Sequence, residues 1–276
     1  MFAGGLVLPG RYATRIRTVD AISISRDGAL ATVTLNNPGR LNALHKAMWE
    51  RLRDAMRELA RDETLRCVVL RGAGDKAFAA GADISEFATE RANRTQARAY
   101  GELIHEAMQS VARCRHPTVA LIQGACIGGG LEIAAMCDMR ICGTSSRFGV
   151  PINRLGLTMG YGELQGLLAL VGRAVALEIL LEGRLLDSQE AYAKGLVNRV
   201  VPDAKVEREA YETALRIAAG APLVARWHKQ YIERLTPQVE VTPAEWDEGY
   251  ACFDTADYRE GIAAFIAKRK PTFQAR

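Results

Sequence analysis

The chain has 276 residues, 49% of them hydrophobic and 25% charged, which allows a full buried core and matches an ordinary globular composition. Its formal charge of +4 is mild and evenly spread; that suits an anionic small ligand and argues against a nucleic-acid surface. Six cysteines with no CxxC pair read as buried thiols of a reducing compartment, and four histidines without metal-ligand spacing argue against a metal site.

Residues 1–20 read as a flexible leader; being rich in Arg up to Val19 and free of acids there, they leave a mitochondrial transit peptide as the alternative to a cytoplasmic protein. No run reads as long and apolar enough to span a bilayer. Two alternating runs from Ala21 to Leu35 around Asp27-Gly28 predict a hairpin. Leu44, Met48, Leu52, Met56 and Leu59 predict an amphipathic helix, with Asn42 as its cap. Leu65 to Leu70 predicts a strand, followed by a small-residue loop, Lys76 to Ile84, where backbone could come close to a ligand. A polar, mobile helical stretch is expected from Glu90 to Arg113.

Pro117 to Ile122 predicts a buried strand, and Leu131, Ile133, Ala134 and Ala135 the start of a buried helix. Three consecutive glycines, Gly128 to Gly130, join them. Glycine lets backbone approach a ligand, and the first helical turn offers free N–H groups, so the bend suits a negative oxygen with the Glu132 carboxylate beside it. The plainer alternative is tight packing of helix on sheet. Further on, Met139 to Cys142 predicts a strand, Arg147 to Pro151 an extended turn, and Glu163 to Val171 and Ala174 to Leu181 two helices. From Asp203 the pattern is helical, punctuated at Pro222, Pro237 and Pro243. The expected organisation is thus the leader, a core over 21–202, and a helical region over 203–276 for oligomer contacts.

Recurring strand-turn-helix units make this an α/β chain. Its motifs, in order, are Asn37-Pro-Gly-Arg-Leu-Asn-Ala43, Lys76-Ala-Phe-Ala-Ala-Gly-Ala-Asp-Ile84, Gln123-Gly-Ala-Cys-Ile-Gly-Gly-Gly-Leu-Glu132, Met136-Cys-Asp138, Arg147-Phe-Gly149, Ala193-Lys-Gly-Leu-Val197 and Arg259 to Lys270. The ordered set resembles the crotonase superfamily, the enoyl-CoA hydratase/isomerase family, from about Ala21 to the C-terminus. The resemblance implies a spiral of ββα units with a C-terminal helical trimerisation region, and a homotrimer or a hexamer made of two trimers. It implies an acyl-CoA thioester as ligand and no cofactor beyond coenzyme A. The N–H groups of Ala82 and Gly129 would hold the thioester oxygen, and Glu132 would move protons. Lys76, Ala80, Asp83, Ile84, Gly128, Phe265 and Lys268 would lie along the coenzyme.

One departure limits the analogy. Family hydratases carry a second carboxylate after the proline of a Phe-Gly-x-Pro-Glu segment, and here that segment is Phe148-Gly-Val-Pro-Ile152. Ile152, Asn153, Tyr161 and Glu163 are candidate pocket residues; Glu163 stands where the family is usually small and reads as a carboxylate from another direction or, more simply, a helix-start charge. The implied reaction is enoyl-CoA hydration, or a related lyase reaction of fatty acid metabolism. Isomerisation, decarboxylation, and a weakly catalytic coenzyme-A-binding or RNA-associated role remain alternatives. A serine-peptidase reading lacks a nucleophilic Ser at the glycine turn.

Overall fold

A computed structural model describes residues 21–236 and 241–274, so the expected leader and Pro237 lie outside the described residues. The predicted hairpin forms from β1 (Ile22–Asp27) and β2 (Leu30–Leu35). Next comes α1 (Lys46–Arg61), which buries Met48, Trp49, Leu52, Met56 and Leu59 on one face. Each such side chain contributes about 1.5–3 kcal/mol by leaving water. Asn42 does not cap this helix. It is buried with a left-handed backbone (φ 57°), and its amide ties three loop segments together: it accepts from the Asn37 N–H and donates to the Ala73 and Ala77 carbonyls.

Strands then alternate between two sheets. β3 (Cys67–Gly72) joins the first sheet and β4 (Ala77–Ala79) the second, followed by α2 (Phe87–Glu90) and α3 (Arg94–Ala112). The pair β5 (Thr118–Ile122) and β6 (Ala125–Ile127) repeats the step into α4 (Gly129–Ala135), as do β7 (Met139–Gly143) and β8 (Arg147–Gly149) into α5 (Tyr161–Glu182). After β9 (Leu186–Asp187), α6 (Ser188–Ala193) and β10 (Arg199–Val201), the sheets read β1-β2-β3-β5-β7-β10 and β4-β6-β8-β9. Pairings are parallel except β1/β2 and β8/β9. Each turn of the chain thus lays one strand in each layer before adding a helix.

The stretch expected to be mobile is instead anchored: Asn93 caps α3 by accepting from the Gln96 N–H, and Tyr100, Ile104, Met108 and Val111 are buried, with α3 lying along α1. The two helices expected from Glu163 to Leu181 are the halves of α5, divided at Gly172 (φ 68°, ψ 174°). By length and composition α5 is apolar enough to cross a bilayer (mean hydropathy 1.8), contrary to the sequence reading; Gly172 and Arg173 divide its Leu, Ile, Val and Ala residues into two shorter runs. The final helices are α7 (Val206–Ala218), α8 (Pro222–Leu235), α9 (Pro243–Glu248) and α10 (Ala256–Ile266). α7 seals the outer face of the first sheet, its Val206, Ala210 and Ala214 packing with Val69, Val119 and Leu121.

Candidate active site

Two loops build the floor of the site. After β4 the chain bends at Gly81 (φ 102°), and after β6 it bends at Gly128 (φ 49°), a conformation that side chains with a Cβ rarely adopt. The bends face one another: a Cβ on Gly128 would stand 3.6 Å from the Gly81 Cα. The first is fixed by Leu44, whose N–H donates to the Gly81 carbonyl (2.8 Å) and whose carbonyl accepts from the Asp83 N–H (2.8 Å). The second is fixed by the Gly128 N–H donating to the Gly149 carbonyl (2.9 Å). Ala82 and Gly129 follow these bends, and neither N–H donates in the backbone bonding of the described loops.

Both residues line a cavity of about 340 Å³, together with Glu132. Glu132 lies in the first turn of α4, where it meets no hydrogen-bond donor or ion-pair partner among the described residues. Burial and the neighbouring charge of Glu163 both hold its pKa above the usual carboxylate range, against a smaller opposing pull from Arg91. Glu163, in the first turn of α5, lines the same cavity. Burial raises its pKa too, opposed by a bond from its own backbone N–H and by Arg91.

Of the other sequence candidates, Ala80, Ile84, Gly128, Ile152 and Phe265 also line the cavity. Asn153 and Tyr161 do not. The Asn153 amide donates to the Leu181 carbonyl (2.9 Å), which turns it to the far end of α5, and the Tyr161 ring packs edge-on to Trp246. Lys76 and Lys268 are exposed and are not part of the cavity lining. The Asp83 carboxylate is occupied by Ser85 and by Arg40 (2.7 Å), and those bonds hold it below the usual carboxylate range against the cost of its burial.

The sequence reading missed Arg91 altogether. Its guanidinium is held among three rings, 4.6 Å from the centroid of Phe87, 5.1 Å from Tyr100 and 5.2 Å from Phe253, and it is part of the cavity wall. Its Nε is buried without a hydrogen-bond partner among the described residues. Phe87 and Tyr100 lie near Arg91 in sequence, but Phe253, which closes the cage, comes from the far end of the chain.

Two amides beside two buried acids in a largely apolar cavity suit a carbonyl compound that becomes anionic during reaction. The comparisons agree with that chemistry. The enoyl-CoA hydratase/isomerase family model matches residues 25–276. A short-chain-enoyl-CoA hydratase of Clostridium acetobutylicum is 35% identical over 251 residues, covering 90% of this chain and 95% of that protein. A crystal structure of an enoyl-CoA hydratase/carnithine racemase from Magnetospirillum magneticum is 52% identical and superposes with TM-score 0.79, covering 94% of this chain and 97% of its own. A methylmalonyl-CoA decarboxylase, solved with 2-nitronate-propionyl-CoA, is 26% identical with TM-score 0.83, covering 92% and 98%. With its alternating two-layer architecture and facing glycine bends, the chain belongs to the enoyl-CoA hydratase/isomerase family of the crotonase superfamily.

Proposed function

We propose that the protein is an enoyl-CoA hydratase, a lyase that adds water across the double bond of a 2-enoyl thioester. One observation carries this reading: the uncommitted N–H groups of Ala82 and Gly129 border the same cavity as the buried Glu132 carboxyl. As an oxygen nucleophile adds at Cβ, charge moves onto the thioester oxygen. Two fixed donors stabilise that enolate more than the substrate, and losing one such donor costs about 3–4 kcal/mol of barrier. Glu132 handles a proton beside it. Coenzyme A leaves the cavity past Ala80 and Ile84, with Lys76 and Lys268 toward its phosphates.

A second reading, thioester decarboxylation, is supported by the likeness to the methylmalonyl-CoA decarboxylase and by the apolar Ile152 on the cavity wall. Loss of carbon dioxide needs the oxyanion donors and no water-activating pair. A mass-spectrometric turnover panel of 2-enoyl-CoA and 2-carboxyacyl-CoA compounds separates the two. Hydration adds one water to the former, and Glu132→Gln abolishes most of that turnover while acyl-CoA still binds. Saturable binding without turnover of either class would support the non-catalytic alternative, and wild-type rates in Glu132→Gln would remove Glu132 from the reaction.

The chain also reads as a homotrimer or hexamer acting in a cytoplasm. The assembly rests on α8, which buries no residue within the protomer and leaves Trp227, Tyr231, Ile232 and Leu235 open to solvent. The location rests on the bacterial source of relatives such as the Clostridium enzyme; the mitochondrial relatives keep the alternative in view.

A further inference from the structure

The position that should hold a second carboxylate, Ile152, contributes only hydrocarbon to the cavity wall and packs against the main core. Hydration nevertheless asks for two proton transfers, one away from water and one onto the α-carbon. The cavity contains one other acid that faces Glu132. Glu163 enters from the start of α5, in the same turn of the chain as the loop carrying Ile152 and just after it, and α5 packs directly on α4. Its carboxylate curls back over Gly160, so closely that a Cβ there would collide with it.

We infer that Glu163 supplies the missing carboxylate, forming with Glu132 a pair that enters the reaction holding a single proton. The inference rests on the hydratase reading above. Two acids crowded into a cavity cannot both ionise readily, so one stays protonated while the other is a base. We assign the charge to Glu163, whose carboxylate folds back over Gly160 at the positive end of α5. It takes a proton from water as the water oxygen bonds to Cβ. The π electrons move to the thioester oxygen held at Ala82 and Gly129, then return to form the Cα–H bond with the proton of Glu132. The pair ends with one proton, now on Glu163, and no further reactant is needed.

The surroundings favour this state. Arg91 is the cation whose field reaches both acids, and its aromatic cage keeps it near without an ion pair to either among the described residues. Tyr250, on the cavity wall, feels the charge of Glu163, and burial keeps its phenol protonated by raising its pKa to about 12. His105 packs against Gly162, and burial lowers its pKa, so it adds no opposing charge. Arg154 lines the rim.

The test is steady-state hydration of a 2-enoyl-CoA by Glu163→Gln, with acyl-CoA affinity measured beside it. Turnover should fall by about 10²–10⁴ with affinity changed less than threefold. Exchange of the α-proton of the hydrated or saturated thioester with deuterated water should fall far less than hydration, because Glu132 performs that step. In the Glu163→Gln background, Ile152→Glu should recover at least tenfold of the lost hydration by returning a carboxylate to the cavity. Wild-type hydration in Glu163→Gln would overturn the inference and leave Glu163 as a helix-start charge. A loss of both hydration and binding, with no recovery by Ile152→Glu, would overturn it in favour of a packing role. If the wild-type protein itself adds no water to any enoyl-CoA, the hydratase reading fails instead.

Discussion

Gly130 of α4 and Ala79 of β4 are packed so closely that a Cβ on the glycine would lie 2.9 Å from the alanine Cβ and would strike its carbonyl oxygen as well. This contact sets the distance between the two bends, since Ala82 follows one partner by three residues and Gly129 precedes the other by one. Gly130→Ala would force α4 off the second sheet. A net loss of about 1–3 kcal/mol in urea unfolding is expected despite the better helix propensity of alanine, with at least a tenfold loss of kcat/KM. Unchanged turnover in a folded variant would show that the spacing of the bends does not matter to the reaction.

Arg91 lowers the pKa of both cavity acids. Arg91→Met removes that positive field, so the ionised forms are less stable and both acids hold protons to higher pH. The acid limb of kcat/KM, where the pair takes up its second proton, should move to higher pH, and so should the alkaline limb. A profile that keeps its position would mean that Arg91 acts through the fold alone.

The buried acids also link stability to pH. Their folded pKa values stand above the ordinary value of 4.5. Above that value the unfolded chain releases protons that the folded chain keeps, so stability falls as pH rises through the window between the unfolded and folded values. The double variant Glu132→Gln/Glu163→Gln has no such window. Its stability relative to wild type should grow by more than about 1 kcal/mol between roughly pH 5 and pH 8, at about 1.4 kcal/mol per unit of displaced pKa. Parallel curves from thermal unfolding across that range would rule the linkage out.

On α8, Ile232 is 67% and Leu235 81% exposed in the protomer. If this stripe joins copies of the chain, Ile232→Glu with Leu235→Glu should reduce the assembled mass in light scattering to that of the protomer. A wild-type protein that already runs as a monomer would refute the trimer outright.

Much of this architecture was legible because periodicity and glycine carry direct physical meaning. The alternation around Gly28 produced the hairpin, and the change from β-branched residues to glycine to Leu131 located the bend and Glu132. Short strands were less visible: β4, β6 and β8 have three residues each, too few for a period to show. Asn42 misled for a chemical reason, since the side chain that caps helices serves equally well to bridge loop carbonyls. Glu163 was visible as a charge at a helix start, but its proximity to Glu132 depends on α5 crossing α4, a tertiary fact. Arg91 depends on Phe253, a residue more than half the chain away.

The alternation of strands between layers has a consequence for how such a protein can change. The amides that would grip the carbonyl belong to main chain, so no substitution other than proline erases them, whereas the acids Glu132 and Glu163 are borne by separate, successive windings. An acid can therefore be lost at one point of a winding and regained a few residues further along it without disturbing the grip, and new chemistry becomes a matter of exchanging single residues around a permanent socket.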